Sequence, residues 1–103
     1  MNSNEQIIRD FAAAWSRLDA GELASYFTED AVYHNIPMEV IVGRNNIRDF
    51  LTDFLRDTSG INFEIRHQIS SGNLVFNERI DHSIWSGKKV SLPVAGVFEL
   101  ENG

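Results

Sequence analysis

The chain has 103 residues, 43% hydrophobic and 23% charged, a mixture that suits one globular domain with a modest core rather than a disordered segment. A formal charge of −6 argues against nucleic-acid binding, which wants a basic face, and the interspersed signs read as a solvated mixed surface. No run approaches the roughly 18 apolar residues of a membrane span, Met1-Asn2-Ser3-Asn4-Glu5 lacks the basic start and apolar centre of a signal peptide, and the absence of cysteine excludes disulfides and thiolate catalysis, so a cytoplasmic protein is expected.

Ser3 and Gln6 have the spacing of a capping box, in which each side chain satisfies an amide at the helix start. After them Ile7, Ile8, Phe11, Ala14, Trp15 and Leu18 recur at helical spacing and give one apolar stripe. Asp19 and Glu22 repeat the cap pattern ahead of a short second helix with Leu23, Tyr26 and Phe27. Residues 31–36 read as a strand closed by Pro37, which cannot donate to a ladder. Gly43 breaks the apolar run 38–42, and a third helix over 45–56 carries Ile47, Phe50, Leu51, Phe54 and Leu55 on one side.

From Ile61 the period changes. Ile61, Phe63, Ile65, His67 and Ile69 alternate with polar residues, the pattern of a half-buried strand. Gly72-Asn73 is a turn before a strand over 74–85, and Ser86-Gly87-Lys88 is a turn before a strand over 90–100. The predicted architecture is a single α+β domain over 1–103, helices first and an antiparallel meander after. Glu101-Asn102-Gly103 reads as a third hairpin turn with no return strand, which leaves a long apolar edge open. The expectation is a fragment of a longer domain, or a second chain that supplies the missing pairing.

Two side-chain groups could carry chemistry. Arg79 and Asp81, two apart on the 74–85 strand, share a face. They form either an exposed ion pair of little consequence or a guanidinium fork that fixes a carboxylate in a pocket. The strand does not decide, because the face of Val75, Asn77, Arg79, Asp81, Ser83 and Trp85 and its opposite are both mixed. Tyr33 and Asn35 share a face of the first strand and offer donors and acceptors suited to one water molecule. On the residues alone, polar tips at a strand end are the favoured reading of that pair. His34, His67 and His82 lie on separate strands without ligand spacing, so no metal is expected, and no Gly-rich phosphate loop or nucleophile elbow is present.

Tyr33-His34-Asn35-Ile36-Pro37 and Asn77-Glu78-Arg79-Ile80-Asp81, with Gly96-Val97-Phe98 and the order of elements, resemble limonene-1,2-epoxide hydrolases of the NTF2-like, or SnoaL-like, superfamily. The resemblance covers the chain from Glu5 to Gly103. It implies a cone-shaped fold, with N-terminal helices packed on a curved, mostly antiparallel sheet whose final strand is missing here. It further implies one-step opening of a hydrophobic epoxide by water to a vicinal diol, without metal or cofactor, in a homodimer. By position, Tyr33 and Asn35 match the residues that hold the attacking water, Asp81 the acid, and Arg79 the cation bridging two carboxylates. Leu92 and Val94 match apolar pocket positions, and Ser83 joins them as a pocket residue.

The chain departs from that family at one place. The general base, an aspartate in a Trp-Arg-Asp motif, has no counterpart within residues 1–103. Two carboxylates around one guanidinium repel and favour keeping a proton between them; without the second, that pressure is gone. The chain as given is therefore expected to be nearly inactive and its longer parent to hydrolyse epoxides. Two alternatives stay open: a noncatalytic ligand-binding or dimerisation module, and an isomerase or cyclase that reuses the same fold.

Overall fold

A computed structural model describes residues 3–34 and 38–101. Element order is α1 (Asn4–Ala14), a 3-10 turn (Trp15–Arg17), α2 (Ala20–Ala24), β1 (Val32–Tyr33), β2 (Ile41–Val42), α3 (Arg44–Arg56), β3 (Thr58–Ser71), β4 (Leu74–Trp85) and β5 (Lys88–Glu99). This is the α+β order that the periodicities predict. The chain forms two compact units, one of residues 1–18 with 58–103 and one of residues 19–57.

In the first unit β3, β4 and β5 form an antiparallel meander in that order. Positive φ at Ser86 (50°) and Gly87 (78°) turns β4 into β5, the backbone that a tight two-residue hairpin turn needs. The strand β5 begins at Lys88, within the turn read from the sequence, and β3 begins at Thr58 rather than Ile61. Ser3 caps α1 by accepting from the Gln6 amide at 3.1 Å. Only half of the expected capping box forms, because the Gln6 side chain donates instead to Asp10 at 2.9 Å. The apolar stripe of α1 buries Ile8, Phe11 and Ala12 as the helix packs along β3 and β4. Aromatic rings seal this layer. Trp15 lies 4.9 Å from Phe63, and Phe11 meets Trp15 at 5.9 Å and Phe98 at 6.3 Å, both edge-on. Each such pair adds about 1 kcal/mol beyond its buried area.

The alternation expected along 61–69 does not persist. Ile65 pairs with Arg79 and His67 with Glu78, so Arg66 is an extra residue, a β-bulge. Ile61, Phe63 and Ile65 stay on the Arg79 face, whereas His67 and Ile69 pass to the opposite face and Gln68 takes the inner position. Ile69 is accordingly exposed, and His67 pairs outward with Glu78 at 2.7 Å. A second register shift, at Ser59, is stitched by the buried Thr58 hydroxyl, which donates to the Ile84 carbonyl at 2.7 Å.

In the second unit α2 packs on α3. Asp19 caps α2, accepting from the Glu22 amide at 3.1 Å. Tyr26 and Phe27 lie beyond the end of α2, in turns whose amides donate to Leu23 and Ala24 carbonyls. Gly43, at φ 94°, is the N-cap of α3, a backbone conformation that L side chains rarely adopt. Of the first predicted strand, Val32 and Tyr33 form β1, paired with β2 through Val32–Val42 and Tyr33–Ile41, while Ala31 and His34 lie outside it. Residues 35–37 and the Asn102-Gly103 turn fall outside the described residues.

Val75 and Val97 test the two faces of the meander with one residue type, since Val75 is fully buried and Val97 is 65% exposed. Val75→Ala is expected to cost about 2 kcal/mol and Val97→Ala less than Val75→Ala, read from urea denaturation of the two variants.

Candidate functional site

Alternation along β4 sends Val75, Asn77, Arg79, Asp81 and Ser83 to the face covered by α1. On that face Arg79 stands between Ile65 of β3 and Val94 of β5, and Asp81 between Phe63 and Leu92. The ion pair is no rim contact: the Arg79 side chain is 11% exposed and that of Asp81 18%. It is bidentate, with Nε donating to Oδ1 at 2.9 Å and Nη2 to Oδ2 at 3.1 Å. The third guanidinium nitrogen, Nη1, donates to the Asn77 Oδ1 at 3.1 Å. Two rings lie against the guanidinium, with the Phe63 centroid 5.1 Å and the Phe98 centroid 5.9 Å from Cζ. A guanidinium suits such a slot because it is planar, weakly hydrated and attracted to ring faces.

Asn77, buried to 6% exposure, is itself held. Its amide donates to Gln68 Oε1 at 3.1 Å, and Gln68 donates to the backbone carbonyl of Glu5 in α1 at 2.9 Å. A chain of hydrogen bonds therefore runs from the first turn of α1, through the position that the Arg66 bulge assigns to Gln68, to the ion pair. Asp81 keeps acceptor capacity, because Arg79 occupies two of about four lone-pair sites on an ionised carboxylate.

The other predicted residues fall as follows. Val94 and Leu92 lie directly across from Arg79 and Asp81, with Val94 half-buried and Leu92 56% exposed. Ser83 continues the same face and accepts from the Trp85 indole N–H at 2.8 Å. Tyr33 belongs to the second unit, where its ring meets Phe27 at 6.0 Å and Phe50 at 5.9 Å. Asn35 lies outside the described residues. His67 and His82 face away from Arg79, paired with Glu78 at 2.7 Å and Glu64 at 3.1 Å. Among the described residues no three His, Asp or Glu side chains converge as metal ligands would, and no helix is long and apolar enough to cross a membrane.

Sequence reasoning left out Asn77, Gln68 and the two phenylalanines around Arg79. Asn77 was discoverable, two residues before Arg79 on the same face. Gln68 was not, because strict alternation along β3 assigns it to the wrong side.

A model of the SnoaL-like domain matches residues 8–103 of the chain. Among solved structures, an LEH-like epoxide hydrolase of M. tuberculosis is 25% identical, with a TM-score of 0.83 over 94% of this chain and 72% of that one. A Catenulispora acidiphila protein with a ketosteroid isomerase-like fold is 19% identical, with a TM-score of 0.85 over 94% and 77%. An NTF2-like protein of unknown function from Burkholderia pseudomallei, also 19% identical, reaches 0.84 over 100% and 85%. The last two speak to the fold alone, which is NTF2-like.

Removing the cation should leave Asp81 uncompensated. Arg79→Leu is expected to destabilise by about 3 kcal/mol, whereas the double change to Arg79→Leu with Asp81→Leu costs less than the single one. Chemical denaturation of the three proteins checks the order.

Proposed function

This chain belongs to the SnoaL-like domain family, and we propose that within it the protein is an epoxide hydrolase of the limonene-1,2-epoxide type. The observation that carries this reading is the half-sequestered Asp81 carboxyl, clamped by Arg79 on a face of Phe63, Phe98 and Val94. The M. tuberculosis LEH-like hydrolase among the similar structures adds support.

An epoxide carbon is electrophilic, but its oxygen leaves poorly as an alkoxide. In the proposed reaction the oxygen of a bound water attacks one ring carbon as that C–O bond breaks. In the complete site a second carboxylate shares one proton with Asp81 across Arg79. Asp81 in its protonated form delivers that proton to the departing oxygen, so two neutral hydroxyls result. Arg79 holds the Asp81 carboxyl in place. Tyr33 and Asn35 hold the water, which removes much of the entropic cost of bringing it to the carbon; the ring contacts of Tyr33 with Phe27 and Phe50 support a fixed phenol. The second carboxylate takes the proton the water gives up, and none within residues 1–103 is assigned to that role. Leu92, Val94 and Ser83 face the substrate, a hydrophobic epoxide with few polar groups.

The test is turnover of limonene-1,2-epoxide by the natural full-length protein in ¹⁸O-labelled water. A vicinal diol carrying one solvent oxygen is expected, with the rate reduced at least about hundredfold in Asp81→Asn. A rearranged product without solvent oxygen would favour an isomerase and overturn the hydrolase.

The assembly that accompanies this reading is a homodimer. It is supported by a cross-strand row on the outer sheet face, Ile69, Phe76 and Val97, all exposed. Sedimentation should give a dimer that Val97→Glu splits; a native monomer would count against it.

A further inference from the structure

Gly96 lies in the interior of β5, opposite Asn77 of β4, where a glycine weakens a strand and offers nothing to pack. Its backbone does not call for glycine, since positive φ among the described glycines occurs at Gly43, Gly72 and Gly87. Space does. A Cβ at Gly96 would stand 2.8 Å from Arg79 Nη1, 3.0 Å from Phe98 Cε2 and 3.2 Å from Asn77 Oδ1. Those three atoms are the guanidinium, one of its covering rings, and the carbonyl that receives Nη1.

We propose that Gly96 is a positioning residue: with Asn77 it forms the seat in which the Arg79 guanidinium lies, and through Arg79 it sets the orientation of the Asp81 carboxyl. Nη1 meets Asn77 beside the space a β-carbon would fill, and that carbon would crowd both ends of the bond. The guanidinium is rigid and planar, so displacing Nη1 also swings Nε and Nη2 away from the two Asp81 oxygens. Of the three atoms in the way, the arginine head is the far end of a flexible side chain and yields first. Gly96→Ala should therefore keep the fold and lose the ion-pair geometry. The geometric proposal stands on the structure alone; its consequence for turnover rests on the hydrolase reading.

The Arg79 Nε–H is observed by ¹H–¹⁵N NMR, assigned by its absence in Arg79→Lys. In the native protein this proton should exchange slowly, and in Gly96→Ala its protection should fall at least about tenfold while the backbone spectrum of the sheet is retained. Asn77→Ser, which leaves Gly96 intact and withdraws the acceptor, should shift the same signal. Should Gly96→Ala unfold, placing it with Arg79→Met and Asp81→Asn should restore the folded spectrum, because the obstructed head is gone. Unchanged Nε–H protection in Gly96→Ala, no protected Nε–H in the native protein, or an alanine variant not rescued by that background would each overturn the seat. In the hydrolysis assay Gly96→Ala should lower kcat with little change in KM. A lost Nε–H signal without any native hydrolysis would fault the reaction assigned, not the seat.

Discussion

A guanidinium taken out of water must be satisfied on every side, and this requirement organises one whole face of the meander. Removing such an ion from solvent costs several kcal/mol even after relaxation, and attraction to a single carboxylate repays that only when the remaining donors are also used. Here all three nitrogens donate, using three of the five N–H groups. Asp81 takes two nitrogens, Asn77 takes the third, and the Phe63 and Phe98 rings lie 5.1 Å and 5.9 Å from Cζ. Each partner brings a condition of its own: Asn77 needs Gln68, Gln68 needs the Glu5 carbonyl, and Phe98 is packed by Phe11 of α1.

That arrangement presents a carboxyl of fixed orientation among apolar side chains. A carboxyl held by a rigid fork loses little entropy on reaching a transition state, because its orientation is already set. Val94, Phe63 and Phe98 give that carboxyl and its cation apolar neighbours. The family supplies many chemistries on one fold, so the fold itself argues for none of them. What favours the proposed hydrolysis is the set of residues around Asp81.

Much of this was legible in the residues. Helical spacing from Ile7 to Leu18, the cap at Ser3, and the turn at Gly72 and Asn73 are local signals whose elements are present, although the α-helix closes at Ala14 into a 3-10 turn and leaves Leu18 beyond it at φ 54°. Arg79 and Asp81 were recognisable as neighbours because a strand's period of two needs no tertiary knowledge. Their burial was not, since it comes from α1 and from rings on β3 and β5. The capping box failed in part because Asp10, one turn further on, competes for the Gln6 side chain. Likewise the faces of His67 and Ile69 depend on one unpaired residue, Arg66, that no hydropathy pattern marks. Tyr33 was read correctly as a strand residue, but of the described residues in the expected strand only Val32 and Tyr33 belong to it, with Ala31 and His34 outside.

The Arg66 bulge also acts as a lock. An ordinary antiparallel pair can slide by two residues and recover its alternation, so its hydrophobic pattern alone does not forbid neighbouring registers. A strand with one extra residue loses that freedom, because the irregularity must meet the same point on its partner every time. With β3 pinned to β4 between Ile65 and His67, the hairpin has one alignment that serves both faces. A single-residue insertion or deletion in β3 would not merely lengthen or shorten a hairpin. It would exchange the charged outer rows and the buried inner ones along half the strand, which makes this stretch intolerant of length change although many of its side chains are exposed.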